Sequence, residues 1–465
     1  MFEQLRELRN RYGYEVCAVV SGDKGSLVDK LRGENIPFEA FQFGDLGRPL
    51  SLFLRILKLA RLFRRRRFDV VHTHLLQSML VGRMAAWLAD VPVRVAMIAG
   101  PTHLEADASR WLDRTTCWMD NMLIPSCEYS QTLCRGMGIS DRRLALIYYG
   151  PDERRFDSET VVPADLRAEY GWGDDTLLVG LVAYFYGVLP VSRWVPAAVH
   201  GRATKGHEYL INAVPSILRE FPNARFLLVG SAWSAHGNEY MEDMKALVQR
   251  LGLGDKVVFS GFRPDIANVL RALHVVVMPA VTENLDGSVE ALLLERPAVA
   301  SRVGGLVDAV RDGVTGVLVE PANVEALAAG ILQLLRDPTR AQALGRAGRQ
   351  LMLQRFTLTR TVDDLDQLYR RLLEPGGRRR TGYRLWVSLL RLALFVPFSA
   401  YLADRLLIEI YGSRRVVLQL LRWRIKGRMH SALPVRIMRK VKQLLLKIMR
   451  KVKRVLRRIL LSQRR

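Results

Sequence analysis

Short β-rich apolar runs alternate with longer, helically spaced segments from Tyr14 to Val319, and that alternation restricts the chain to parallel βαβ units of an α/β fold. A first series of candidate strands comprises Glu15–Val20, Phe38–Phe43, Asp69–His74, Val93–Ile98 and Met122–Ser126. A second comprises Leu177–Ala183, Arg225–Gly230, Lys256–Ser260, Val275–Pro279, Ala298–Ser301 and Gly316–Val319. Two doubly wound sheets are therefore expected, with the join at Tyr149-Gly150-Pro151-Asp152, where turn residues end one series. The first unit takes residues 1–160 and the second 161–355, and ligands are expected in the cleft outside the carboxyl ends of the strands. The chain opens on an amphipathic helical pattern, Met1–Tyr12, without the strand and glycine loop that normally come before one, so the first sheet is expected to lack its first strand and expose an edge.

Charge divides the chain more sharply than hydropathy does. The net charge of +24 on 465 residues suggests an anionic partner, but 25 of the 70 Lys and Arg and only two of the 46 acids lie in Gly376–Arg465. The body, Met1–Pro375, is nearly neutral, and the 49% hydrophobic content of the whole chain is that of a globular protein rather than a disordered one. Cys17, Cys117, Cys127 and Cys134 form no CxxC pair and have no His at metal-ligand spacing, which fits a reduced cytosolic compartment. Met1–Gly13 is mixed in charge and has no apolar core of the kind a secretory signal needs.

The segment richest in chemistry runs from Val281 to Pro297 and follows the apolar run Val275–Pro279. Glu283 and Glu290 bracket a small-residue turn, and Gly287-Ser288 begin a helical pattern whose free amides suit a diphosphate. A carboxylate at a strand exit accepts hydrogen bonds from sugar hydroxyls, and one in a first helical turn takes the paired hydroxyls of a ribose. The two acids also read as a favourable first-turn residue and a solvated loop residue, so these residues alone leave the choice open.

Further segments fall in a specific order: Asp69-Val-Val-His-Thr-His74, Tyr149-Gly-Pro-Asp152 with Phe156, Lys205-Gly-His-Glu208 with Asn212-Ala213, Phe226-Leu-Leu-Val-Gly230, Val258-Phe-Ser-Gly-Phe262, and Gly304-Gly305 with Asp312-Gly-Val-Thr-Gly316. With the two-glutamate segment among them, the chain resembles the family 4 (group 1) GT-B glycosyltransferases from Met1 to Leu373. The resemblance implies two Rossmann-like domains facing across a cleft, the first binding the acceptor and the second a nucleotide sugar. It also implies transfer with retention of configuration and no metal.

By that resemblance Glu290 would hold the ribose, Glu283 would face the donor sugar, and Lys205 would neutralise the diphosphate leaving group. Phe262 would line the nucleobase, and Asp286, Gly287 and Ser288 would present amides to the distal phosphate. Arg202 would be a second phosphate contact, set apart from its strand by an insertion, Gly187–His200. His103, after a first-domain strand, would polarise the donor or position the acceptor hydroxyl, or else simply cap a loop. His72 and His74 read as structural. Asp364-Leu-Asp366 sits in the helical pattern Thr361–Leu373, residues 356–375 being the crossover back to the first domain, and reads as a solvated face.

After Pro375-Gly-Gly377 the composition changes. Tyr383–Ala403 approaches the length of a spanning helix, but Arg391 and Pro397 favour a helix lying in the membrane interface. Ile437-Met-Arg-Lys-Val-Lys442 recurs as Ile448-Met-Arg-Lys-Val-Lys453, putting Ile437, Val441, Leu444, Ile448, Val452, Val455 and Ile459 on one stripe among cations. Such a helix buries its stripe among acyl chains while Lys and Arg meet anionic headgroups, each worth on the order of 1 kcal/mol. A nucleic-acid arm fits less well, since Trp423 is the last aromatic, and a coiled-coil or partner-docking helix is the third reading. The expected protein is thus a UDP- or GDP-sugar-dependent glycosyltransferase of glycan or polysaccharide biosynthesis, peripheral on the cytosolic face and acting on a lipid-linked or cell-surface glycan acceptor. The alternatives are an inactive sugar-nucleotide-binding scaffold and an epimerase on the same fold.

Overall fold

In this computed structural model residues 1–44, 49–285 and 287–374 are described. The basic extension 376–465, with its interfacial stretch and its repeat, lies outside the described residues, and so does Asp286.

The second lobe holds one parallel sheet of six strands: β6 (Leu177–Val182), β7 (Ala224–Val229), β8 (Val257–Gly261), β9 (Val275–Met278), β10 (Ala298–Ser301) and β11 (Val317–Val319). Their order is β11-β10-β9-β6-β7-β8, so the winding reverses between β6 and β9. Every residue of β9 and β10 is buried, because helices cover both faces of a parallel sheet and leave no solvated side. One face packs Phe226, Leu228 and Val277 under the helices His207–Leu218 and Val324–Arg336. The other packs Leu227, Val276 and Ala300 under Leu292, Met352 and Phe356. Removing such a side chain from water is worth about 1.5–3 kcal/mol, and these layers fix where the strand ends lie.

The first lobe departs from the single sheet expected. Its strands are β1 (Ala18–Val20), β2 (Phe38–Ala40), β3 (Val70–His74), β4 (Val93–Ile98) and β5 (Met122–Pro125). Among the described residues β1 pairs only with β2, and β3-β4-β5 form a separate parallel sheet. A cavity of about 160 Å³ opens between the two, lined by Val19, Val71 and Thr73 and closed on one side by Gln4 and Leu8 of the helix Phe2–Tyr12. His72 points its Nδ1 to the Tyr369 hydroxyl at 2.6 Å and stacks on His74, and burial pushes its pKa down to about 3, so both rings serve as neutral packing groups.

The helix Leu358–Leu373 packs Val362, Leu365 and Tyr369 against Leu8, Val93 and Ile147 of the first lobe. Where the chain passes between lobes, Leu358 N–H donates to Pro151 O at 2.7 Å and Gly150 N–H to Thr361 Oγ1 at 3.0 Å. A Cβ on Gly150 would lie 2.3 Å from Phe356 O, so the crossing requires glycine. Asp366 corrects the reading of a solvated face: it is buried, accepts from the Tyr14 hydroxyl at 2.9 Å and pairs with Arg370. Asp364 pairs with Arg360 on the same helix.

Candidate active site

Three loops leave the carboxyl ends of neighbouring strands and close on one another at the point where the winding reverses. From β9 comes Pro279–Asn284, from β10 Arg302–Gly305, and from β6 the long excursion that ends at Lys205-Gly206. Val281 N–H donates to Thr204 O at 2.9 Å and zips the first loop to the third. Gly305 N–H donates to Glu283 O at 3.2 Å and ties in the second. The approaches are too close for side chains: a Cβ on Gly206 would lie 2.0 Å from Pro279 O, and one on Gly304 1.8 Å from Glu283 O. Both glycines also have positive φ, which explains why these residue types stand there.

That packing brings together two residues 78 positions apart. Lys205 Nζ lies 2.5 Å from Glu283 Oε2, with side chains 13% and 16% exposed. Asn284 N–H donates to the other carboxylate oxygen at 2.9 Å, and the ammonium stands 5.8 Å over the Tyr186 ring. A half-buried, hydrogen-bonded ion pair at a switch point is a place where an incoming anion can claim the lysine and leave the carboxylate to accept from hydroxyls.

Glu290 stands in the first turn of the helix Ser288–Leu293, capped by Gly287, with its side chain half buried. Ser288 departs from expectation, because its amide donates to Leu285 O at 3.2 Å and its hydroxyl to the same carbonyl, which turns both groups inward. Phe262 follows β8 and is 62% exposed, an uncovered ring of the kind a planar base can cover. Arg202 is exposed just past the insertion, with its charge beside Glu208 and Tyr209; no described contact joins it to Lys205 or Glu283.

His103, on the short helix Thr102–Glu105 after β4, faces its own lobe's interior. Its Nε2 lies 3.9 Å from Asp113 Oδ2, and Asp113 pairs with Arg83, whose guanidinium also meets Asp120 at 2.8 Å. Burial holds the imidazole below its usual pKa, and the Asp113 carboxylate opposes that.

Several residues at the site escape a reading by motif. Thr282 donates to Glu105 Oε2 at 2.7 Å, Ser126 Oγ meets Asn284 Oδ1 at 3.3 Å, and Glu128 N–H donates to Asp308 Oδ2 at 2.7 Å, each across the cleft. Tyr184, Tyr186 and Trp233 cluster after β6 and β7, with the Tyr184 and Trp233 centroids 5.1 Å apart and Trp233 64% exposed. The aromatic run Tyr184-Phe-Tyr186 just past a strand was the available signal for that cluster.

Residues 196–337 match the family model described as Glycosyl transferases group 1, and residues 1–150 that described as Glycosyl transferase 4-like domain. A GDP-mannose-dependent alpha-(1-6)-phosphatidylinositol monomannoside mannosyltransferase of Mycolicibacterium smegmatis is 34% identical over 44% of this chain and 51% of its own length. A D-inositol 3-phosphate glycosyltransferase of Segniliparus rotundus is 38% identical over 37% of this chain and 38% of its own length, so the chain spans about half or less of these two relatives. Anabaena HepE, solved in complex with UDP, superposes with a TM-score of 0.65 at 21% identity, covering 79% of this chain and 94% of that one. The likeness to HepE is one of fold, two Rossmann-like lobes in the GT-B arrangement.

Proposed function

Since the chain belongs to the group 1 glycosyl transferases and has the GT-B fold, we propose that it moves a sugar from a nucleotide-diphosphate donor to an acceptor hydroxyl. The observation that carries this reading is the Lys205–Glu283 pair, held by glycine-dependent loop contacts at the switch point and facing the other lobe. In this scheme the donor diphosphate takes over the Lys205 ammonium, which then neutralises the charge that builds up as the glycosidic bond breaks. Glu283, released from the lysine, accepts from hydroxyls of the donor ring, Glu290 takes the ribose hydroxyls, and Phe262 lies along the base. Arg202 would reach the phosphates by turning from Glu208 and Tyr209, and His103 would act only by turning from Asp113. The cations supply what a metal would otherwise supply, so the reading is of a metal-free transfer, with retention of configuration as the family resemblance implies.

A lipid-linked acceptor at the cytosolic face of the membrane completes the proposal. It is supported by the phosphatidylinositol monomannoside in the name of the mycobacterial relative and by the 25 basic residues of Gly376–Arg465. No helix among the described residues is long and apolar enough to cross a membrane. The test is to incubate the full chain with radiolabelled UDP- and GDP-sugars and anionic lipid extract, following label into lipid, into free sugar, or into neither. Transfer that disappears in Lys205→Ala and Glu290→Ala supports the reading; conversion of the donor without transfer, or equal donor binding by both variants and the unaltered chain, overturns it.

A further inference from the structure

The insertion Gly187–His200 does not hang in solvent. Its neck is closed by Leu189 N–H to Arg202 O at 3.0 Å and Gly201 N–H to Leu189 O at 2.8 Å, so the residues between form a strap that leaves the second lobe and returns. The strap is braced from within by His200, whose Nε2 lies 3.0 Å from the carbonyls of both Ser192 and Val195 and must carry the proton. It lands on the opposite lobe. Ala108 N–H donates to Arg193 O at 3.0 Å, and Trp194, partly buried, packs against the first lobe's core.

Under the landing lies a cavity of about 300 Å³ whose walls come from both lobes: Glu105 and Asp107 on one side, Val191, Ser192, Arg193, Val195 and His200 of the strap on the other. Glu105 is the carboxylate bonded to Thr282, whose chain neighbour Glu283 holds Lys205, so the cavity is two residues from the candidate donor site. Asp107 pairs with Arg110 and Glu105 accepts from the Thr282 hydroxyl, and each carboxylate keeps acceptor lone pairs to spare. Those lone pairs suit hydroxyl donors. The volume is at the small end of ligand sites, about 300–1,000 Å³, and suits one ring.

We infer that this cavity is the acceptor subsite for a single polyhydroxylated ring, a hexopyranoside or a cyclitol, and that the strap is the wall that selects it. The inference rests on the transferase reading and deepens it. The ring lies between Glu105 and Asp107 on one side and Ser192 on the other, its hydroxyls donating to the carboxylates, while Val191 and Val195 cover its apolar face. Selection therefore depends on a segment of the donor lobe.

The test uses the full chain saturated with UDP or GDP, with methyl α-mannopyranoside and myo-inositol as probes in saturation-transfer NMR. Ala197 lines the cavity, is exposed and makes no side-chain polar contact, so Ala197→Phe fills the space without touching the donor site. The expected result is saturation of ring protons by the unaltered chain, a loss of at least tenfold in Ala197→Phe, and nucleotide affinity by calorimetry unchanged within about twofold. Replacing residues 191–199 by Gly-Gly should give the same loss by removing the wall. Equal ring signal in both altered chains, or no ring signal from an unaltered chain that binds nucleotide, overturns the inference. Ring binding lost in Ala197→Phe in a chain that binds no nucleotide would uphold the subsite and overturn the donor reading instead.

Discussion

Thr282 Oγ1 donates to Glu105 Oε2 at 2.7 Å, and this one bond links the loop that carries Glu283 to the helix end that opens the first lobe's side of the cleft. Thr282 is 5% exposed, so the bond is shielded and charge-assisted. Thr282→Val keeps the shape and deletes the donor, at a cost on the order of 1–3 kcal/mol in the joined state. The expected outcome is a fall in transfer rate of about tenfold or more with nucleotide affinity unchanged, measured by steady-state kinetics and calorimetry. A parallel loss in both would assign Thr282 to donor binding instead.

Lys205 and Glu283 are expected to behave as a unit. Lys205→Ala removes the cation that meets the leaving group and takes the ammonium from beside the half-buried Glu283 carboxylate. Loss of one such preorganised partner lowers kcat by about 10²–10³-fold. Lys205→Arg should recover under a tenth of the activity, because a planar fork does not fill the place of a compact ammonium set over the Tyr186 ring. Full activity in the arginine variant would show that the site asks only for positive charge.

The strands of the second lobe were legible because β9 is an uninterrupted apolar run and β10 is apolar up to Ser301, as a parallel sheet with two covered faces requires. Glu283 was legible for the same reason, as the first acid past such a run. The first lobe was less so, since Glu15–Val20 and Phe38–Phe43 have strand-forming composition but only three residues of each find a partner. Asp366 misled because a helical period cannot show which helix will arrive, and Tyr14 comes to it from 352 residues away. The strap's landing and the Thr282–Glu105 bond are likewise contacts between lobes, fixed by shape rather than by any local pattern.

Gly304 tests whether the loop junction sets the site. Its φ is +50° and a Cβ would sit 1.8 Å from Glu283 O, so Gly304→Ala must displace the Glu283 backbone or the whole β10 loop. Strain of this kind is on the order of 1–3 kcal/mol. Urea denaturation should show the loss in stability, and nucleotide affinity should fall by at least tenfold even where the variant remains folded. Gly313→Ala is the control, because Gly313 has φ +69° but nothing within 4 Å, and should lose stability without losing affinity.

His207 follows the lysine-bearing turn and gives the chain an acid sensitivity with a definite sign. It is fully buried and its ring stacks on Phe185 with centroids 4.0 Å apart. Burial pushes its pKa from 6.5 down to about 3, with the nearby Ala183 backbone opposing the shift and the Lys205 charge adding to it. Between those two values the unfolded chain binds a proton that the folded chain does not, so stability rises with pH and is lost as pH falls below about 6.5. The limiting slope for one such histidine is about 1.4 kcal/mol per pH unit. His207→Phe keeps the stack and removes the titration along with two buried, unpaired ring nitrogens. Urea midpoints taken from pH 7.5 to 4.5 should therefore diverge: the variant becomes increasingly the more stable of the two as the pH drops. Two curves that stay parallel over that range would mean that the ring takes up its proton equally in the folded and unfolded states.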